Sequence, residues 1–414
     1  SIWALGTPNA TDLCLRCHFP AGWLGGHSEP TNGSSLSGDD FDGVQCGLCH
    51  RSVDPFFQDT YAGAREGSDW LNYWDETNLS TTPSSTAATT TLTSDIRESA
   101  NFFNFNETPF YNASHRPAAA TWDEAGAGQY FIELADERRA PFADDTARHD
   151  SLHSRFHRSR YFCGTCHDVS NPVAVNASHV GTLPGPMAPI LPSEQLPAYS
   201  YGHVERTFSE FMLSDYGLLG GSLGRGAFST LTTSRTGNRI ASCQDCHMPD
   251  GVGAGCDKRD APIRPTESIE HPNTGAPRHE QMGGNVLVPT LLASTVVGSP
   301  NYDAFNATLL DSPSFLTMDL NAGLALDATA LLDSADRART NLENAAVIET
   351  MTYDAATGDL SFRVRNDTGH KLITGYPEGR RMFVNVKLYR AGSVVHEINP
   401  YDLTAGTLRG LDAT

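Results

Sequence analysis

The sequence predicts a mostly irregular and helical body over residues 1–350, followed by a small antiparallel β module over residues 351–414. Three observations carry that expectation. One five-residue cysteine pattern occurs four times, with little apolar sequence between its first two copies. Three segments of the body read as helical, the last of them with apolar residues at helical spacing, and the C-terminal stretch alternates apolar with polar residues.

The body begins with the cysteine pattern. Eight of the nine cysteines lie in Cys14-Leu-Arg-Cys17-His18, Cys46-Gly-Leu-Cys49-His50, Cys163-Gly-Thr-Cys166-His167 and Cys243-Gln-Asp-Cys246-His247. Cys-x-x-Cys-His is the attachment pattern for c-type haem. The two thiols form thioethers with the vinyl groups, and the adjacent histidine becomes the proximal iron ligand. The competing reading is two zinc sites, each made of two Cys-x-x-Cys pairs. Zinc does not require histidine directly after the second cysteine. Histidine is 15 of 414 residues, so four successive hits by chance are on the order of one in a million. A disulfide framework does not explain one short spacing with one follower. The expected cofactor is therefore four covalently bound haem c groups, and the fold class sharpens to a mostly irregular and α multihaem cytochrome fold wrapped around a haem chain.

Between the first two motifs the chain is rich in Gly, Ser and Asp, so the haems are expected to supply much of the core. Residues 61–140 read as loops with scattered aromatics (Trp70, Tyr73, Trp74, Phe102, Phe103, Phe105, Phe110, Tyr111) suited to covering porphyrin faces. The run Ser80 to Ser94 reads as an exposed loop, O-glycosylated or simply a connection. A helix is expected over 144–162, with Asp144 and Asp145 at its N-terminus. Others are expected over 201–215 and 327–350. In the C-terminal module, Leu360-Ser-Phe-Arg-Val-Arg and Met382-Phe-Val-Asn-Val-Lys-Leu-Tyr read as half-buried strands. Gly392 and Ser393 turn the chain into Val394-Val-His-Glu-Ile.

Composition limits the partners. There are 29 basic against 49 acidic residues, a net charge of -20, which argues against nucleic acid because phosphate binding needs a basic face. Only Lys258, Lys371 and Lys387 are lysines; every other basic residue is arginine. No run of 18 apolar residues occurs, so no membrane span is expected. Ser1 opens without a charged segment and apolar run, so an export signal is either already removed or was never present. Thioether attachment takes place outside the cytoplasm in prokaryotes, which implies export. Asn9, Asn32, Asn78, Asn106, Asn112, Asn176, Asn306 and Asn366 each begin Asn-x-Ser/Thr. Chance gives roughly three or four such sites. The excess reads as a glycosylated surface protein, or as drift in a Ser/Thr-rich chain.

Fifteen histidines less four proximal ones leave His27, His115, His149, His153, His157, His179, His203, His271, His279, His370 and His396 as candidate sixth ligands. With seven methionines as the alternative, the surplus of histidine favours bis-histidine ligation. His149, His153 and His157 are spaced to share one helix face, which is either a ligand face or a solvated one. His279 precedes Gly283-Gly284, where the backbone can approach a ring closely. His370 lies in a turn-rich link between two strands. Met248 packs on its haem without ligating it. Arg138, Arg139, Arg380 and Arg381 are candidate propionate clamps, against the alternative of exposed arginines. Cys256 is a thiol without a motif.

The stretch His149…Phe156-His157-Arg158-Ser159…Phe162-Cys-Gly-Thr-Cys-His-Asp168-Val-Ser-Asn-Pro172 resembles exported multihaem c-type cytochromes of bacteria and archaea. So do Arg206-Thr-Phe-Ser-Glu-Phe before Cys243-Gln-Asp-Cys-His-Met-Pro249, Arg278-His279 with Gly283-Gly284-Asn285, and Thr368-Gly-His-Lys…Gly375-Tyr-Pro-Glu-Gly-Arg-Arg381. Together they cover most of residues 138–390. The chain most resembles the tetrahaem subunits of extracellular cytochrome filaments, the microbial nanowires. The resemblance implies distal ligands at His149, His157, His279 and His370, with His153 and His27 in reserve. It implies an extracellular electron-transfer protein, not an enzyme, whose partners are identical subunits in a head-to-tail filament and other redox proteins or extracellular acceptors. In such filaments a ligand can come from the neighbouring subunit. The alternatives are a multihaem reductase of a small nitrogen or sulfur oxyanion, which needs an open iron position, and a periplasmic shuttle that never polymerises.

Overall fold

A computed structural model of the chain describes residues 11–57, 70, 73–74, 89–103, 107–115, 128, 130–145, 147–175, 201–254, 263–265, 271, 274–310, 325–376, 380–404 and 406–409. Cys256, His179, Phe105, Asn9, Asn78, Asn106 and Asn176 lie outside the described residues. The side-chain nitrogens of Asn306 and Asn366 donate within the protein, to the Ser294 hydroxyl and the His370 carbonyl.

Each cysteine motif lies on a short helix or runs on from one: Thr11–His18, Cys46–Arg51, Arg160–Gly164 and Gln244–His247. The longest helix is Ala328–Asn344. The Asp327 carboxylate caps it, accepting from the amides of Thr329 and Ala330 at 2.9 and 3.1 Å. It stops short of the expected 350 because Ala346–Asp354 is a strand, and the β-branched Val347, Ile348 and Thr352 favour extended backbone.

All sheets among the described residues are two-stranded. At the C-terminal end Ala346–Asp354 pairs with Asp359–Asn366, Val386–Arg390 with Ser393–Ile398, and Tyr401–Asp402 with Thr407–Leu408, all antiparallel. The middle hairpin turns on Ala391 and Gly392, with φ of 49° and 81°, the pair of left-handed residues that a tight hairpin turn demands. The alternation begins at Met382, but the strand begins at Val386. Apolar side chains such as Ile348, Met351, Tyr353, Leu388, Tyr389 and Val395 are exposed on the ribbons.

Three expected elements differ. Residues 144–162 are not one helix: Ser151–His153 is a strand, Arg155–Arg158 a 3-10 turn, and a new helix starts at Arg160. Its polar side chains take partners that a helix would not give them. Asp144 pairs with Arg264, Asp145 accepts from the Ser151 hydroxyl, and the strand pairs in parallel with Arg138–Ala140. His149, His153 and His157 therefore share no helix face. In the 201–215 segment, Tyr201–Glu205 is a strand paired with Val169–Val175, and the helix is only Thr207–Met212. The Glu205 carboxylate accepts from the Thr207 amide at 3.0 Å and fixes that change of direction. The Ser80–Ser94 loop reading fails at its C-terminal end, where Thr89–Ser99 is helical with Thr91 and Ser94 buried.

The core is built from aromatic and ionic groups. One cluster contains Phe56, Phe156, Tyr161, Phe208, Phe211, Met212, Tyr216 and Ile240; a second contains Phe57 and Tyr111, with Phe102 and Phe110 against them. Several aromatics expected on porphyrin faces contact one another: Trp70 with Tyr73, and Phe110 with Tyr111, at centroid separations of 4.9 Å. Arg139 is fully buried. Its guanidinium donates to Asp95 at 2.9 and 3.1 Å and to Glu133, with Ser94 at 3.4 Å. One cation faces two carboxylates, and burial pushes Asp95 up to about 7 against the pull of Arg139. Arg139 is thus not a propionate clamp. Arg138 pairs with Asp136 at 3.0 Å.

Removing one partner from a buried ion pair leaves an uncompensated charge and costs about 3–5 kcal/mol. Arg139→Met should lower the unfolding free energy by that amount in denaturant titrations. Adding Asp95→Asn and Glu133→Gln should recover part of the loss; an unchanged midpoint in the single variant would contradict the network.

Candidate functional site

Cys, Cys and His at i, i+3 and i+4 fall on one face of a helical turn, so each motif presents two thiols and an imidazole together. All eight motif cysteines are free thiols; Cys46 is exposed and the other seven are half-buried. Burial pushes Cys49 up to about 11, so that thiol is uncharged at neutral pH. The Cys17 thiol lies beside that of Cys166 across two motifs, and Cys163 lies likewise beside Cys243.

Two motif imidazoles face histidines from remote segments. His247 and His370 lie nearly parallel, 21° apart, with ring centroids 6.4 Å from each other. Nδ1 of His247 is 2.6 Å from the Met282 carbonyl, and Nδ1 of His370 is 3.0 Å from the Lys371 carbonyl. In that tautomer Nδ1–H donates to the carbonyl, and Nε2 keeps its lone pair. His50 is fixed the same way, with Nδ1 at 2.8 Å from the Arg139 carbonyl. Its ring faces His279 at 6.0 Å and His157 at 5.9 Å. His157 differs: its Nε2 is 2.8 Å from the Cys49 carbonyl, and its buried Nδ1 has no hydrogen-bond partner.

The loop carrying His370 is pinned to the helix Thr207–Met212. Glu210 accepts from the Lys371 amide at 3.1 Å and the Thr374 hydroxyl at 2.8 Å, and Lys371 Nζ lies 3.2 Å from its other oxygen. The Tyr216 hydroxyl donates to the Asp367 carbonyl at 3.2 Å. Gly369 is required by space: a Cβ there would sit 2.8 Å from Cδ2 of Phe211. On the other side, the Gln281 amide donates to the His247 carbonyl at 3.0 Å. Gly284 lies against Leu342 and Arg380, so its lack of a side chain serves protein packing.

Burial, with the neighbouring His370, pushes His247 down to about 4, and burial with His50 pushes His157 down to about 3. Burial also holds His370 and His279 below the ordinary imidazole value. At neutral pH these rings are uncharged, the form that ligates metals. His167 runs the other way, raised by the Glu205 carboxylate 3.6 Å from its Nδ1. His18 is exposed and His167 largely so. Among the described residues no second imidazole ring contacts either of them. The reserve candidates are engaged elsewhere: His27 bonds Asp40 at 2.7 Å, and His153 is buried in its strand. His149 is half-buried beside the Asp150 carbonyl.

Among the described residues no group of three or more His, Cys, Asp or Glu side chains is arranged to hold a metal ion. The two-zinc alternative requires four converging thiols, and no such group occurs among the described residues. Haem makes a smaller demand on the chain, because the macrocycle itself supplies the equatorial nitrogens. Metal–imidazole bonds of about 2.0–2.1 Å plus the half-widths of two rings give roughly 6 Å between centroids, the spacing of His247 to His370 and of His50 to His279. Sequence reasoning missed the carbonyls of Arg139 and Met282 and the Glu205 carboxylate, which are remote in sequence from the imidazoles they face.

Comparison of the chain with protein-family models, curated proteins and solved structures finds no match.

Gly369→Ala should lower stability by about 1–3 kcal/mol, the usual cost of overpacking, because its methyl meets buried Phe211. Gly253→Ala, where nothing lies within 4 Å and φ is not positive, should show no such loss. Equal losses in denaturant titrations of the two variants would remove the packing argument.

Proposed function

We propose that the chain binds four c-type haems covalently and transfers electrons among them, as the repeating subunit of an extracellular cytochrome filament. The observation that carries this reading is the facing of His247 by His370 and of His50 by His279, beside Cys-x-x-Cys-His motifs. Cys14, Cys17, Cys46, Cys49, Cys163, Cys166, Cys243 and Cys246 hold the haems. His18, His50, His167 and His247 ligate from the proximal side, and His279 and His370 complete two of the centres. His149 and His157 stand as the remaining distal candidates. Each haem, when bound, supplies one-electron chemistry at its iron. The chain's own part is to keep His247, His279 and His370 neutral, fix the tautomers of His50, His247 and His370 on backbone carbonyls, and exclude water with the Phe56–Ile240 cluster.

No helix among the described residues is long and apolar enough to cross a membrane. Head-to-tail contacts between copies generate an open fibre when the rotation does not close. The exposed apolar side chains on the C-terminal ribbons support burial against other protein. Identical subunits, redox proteins and extracellular electron acceptors are the partners that follow; the net charge of -20 opposes nucleic acid. A second reading, an oxyanion reductase, draws on the lack of a facing imidazole at His18 and His167 among the described residues.

Produced in a host that attaches haem c, the intact protein should carry the mass of four haems, and Cys243→Ala with Cys246→Ala should lose one. The ferric spectrum should be wholly low-spin, and His370→Ala should convert one haem in four to high-spin. His370→Met should instead raise one midpoint potential. Negative-stain microscopy should show fibres. A high-spin band in the unmodified protein favours the reductase, and dispersed particles at every concentration remove the filament.

A further inference from the structure

We propose that the first motif is joined to the other three through the third, so that the spatial order of the centres departs from their order along the chain. The inference rests on the haem reading above and adds the route to it.

The motif nearest to the first in sequence is the second, yet among the described residues no hydrogen bond or ring contact joins Cys14–His18 to Cys46–His50. The first motif instead meets the third. The Cys17 side chain lies beside that of Cys166. Gly128 sits between the two: its amide donates to the Thr165 carbonyl at 3.0 Å, and a Cβ there would lie 3.1 Å from Sγ of Cys17 and 3.2 Å from Cβ of Arg16. Its φ of +79° suits glycine as well. The Tyr130 hydroxyl closes the same junction, donating to the Arg16 carbonyl at 2.9 Å.

The third motif then meets both of the others. Cys163 lies beside Cys243, and buried Gln244 of the fourth motif donates to the carbonyls of His157 and Ser159 at 3.0 and 2.9 Å, just ahead of the third. His157 reaches the second motif through the Cys49 carbonyl. The second and fourth motifs share the 279–282 loop, which turns His279 toward His50 and holds His247 through the Met282 carbonyl. Covalent attachment ties each haem to its motif, so contact between motifs sets which haems are neighbours. An electron arriving at the first centre passes the third before it reaches the second or the fourth.

The test deletes single haems in the complete holoprotein and reads magnetic coupling between the remaining ferric centres by low-temperature EPR. With Cys163→Ala and Cys166→Ala, one of the three remaining haems should give an isolated, unbroadened low-spin signal. With Cys46→Ala and Cys49→Ala, all three should stay coupled. Coupling of all three after loss of the third haem, or isolation of one after loss of the second, overturns the proposal. If the third-haem deletion does not fold, cryo-EM of the intact holoprotein decides. The iron on His18 must lie nearer the iron on His167 than those on His50 or His247, and any other order overturns the inference. An intact protein whose mass shows no haem overturns the haem reading itself, an outcome distinct from a four-haem protein with a different order.

Discussion

The buried guanidinium of Arg139 is the constraint from which the rest of the body takes its position. It holds Asp95 on the helix Thr89–Ser99 and Glu133 on the segment after the strand Phe131–Ile132. Glu133 in turn donates its amide to the Arg51 carbonyl at 2.9 Å, at the end of the second motif helix. The strand that carries Arg139 offers its carbonyl to His50 and, one residue on, the Ala140 carbonyl to the Ser154 amide at 2.7 Å. One ion network therefore fixes a helix, two strands and an imidazole. Only 39% of the residues are hydrophobic, and charged groups occupy interior positions that aliphatic side chains fill in most domains. Buried ion pairs rarely add net stability, because desolvation offsets their attraction. Here they specify which segments meet.

Local patterns were legible in the sequence, and long-range ones were not. The four motifs, the helix Ala328–Asn344 and the hairpin each depend on residues within a few positions of one another, although the hairpin turns on Ala391-Gly392, one residue before the expected Gly392-Ser393, because Ser393 already pairs with Arg390. The 144–162 segment looked helical because its acidic start and spaced histidines fit a helix as well as anything local could. Pairing with Arg138–Ala140 and with Arg264 overrode that preference, and neither partner is visible from the segment itself. Thr89–Ser99 was hidden for the opposite reason. Serine and threonine read as loop, yet here they are helical because buried Thr91 donates to the His153 carbonyl and Ser94 joins the Arg139 network. The facing of His247 by His370 spans more than a hundred residues of chain, and nothing in their spacing announces it.

The described imidazole sites share a mode of support. His50, His247 and His370 are each oriented by a backbone carbonyl and not by an acidic side chain. Backbone acceptors do not change when a side chain is substituted, so these orientations are insulated from most single replacements and depend on the course of the chain. His167 stands apart, with the Glu205 carboxylate in that role, which favours its protonated form.

The near absence of lysine has a further meaning once arginines are found inside the protein. Arg139, Arg160 and Arg264 are among the largest fully buried side chains, and a guanidinium does not release its proton under any condition a folded protein survives. An interior lysine is easily neutralised when it is desolvated. The positive half of the internal field is therefore permanent, and changes in acidity reach the interior only through its carboxylates and imidazoles. Such a scaffold has a fixed electrical bias built into its covalent structure, against which every other interior charge is set.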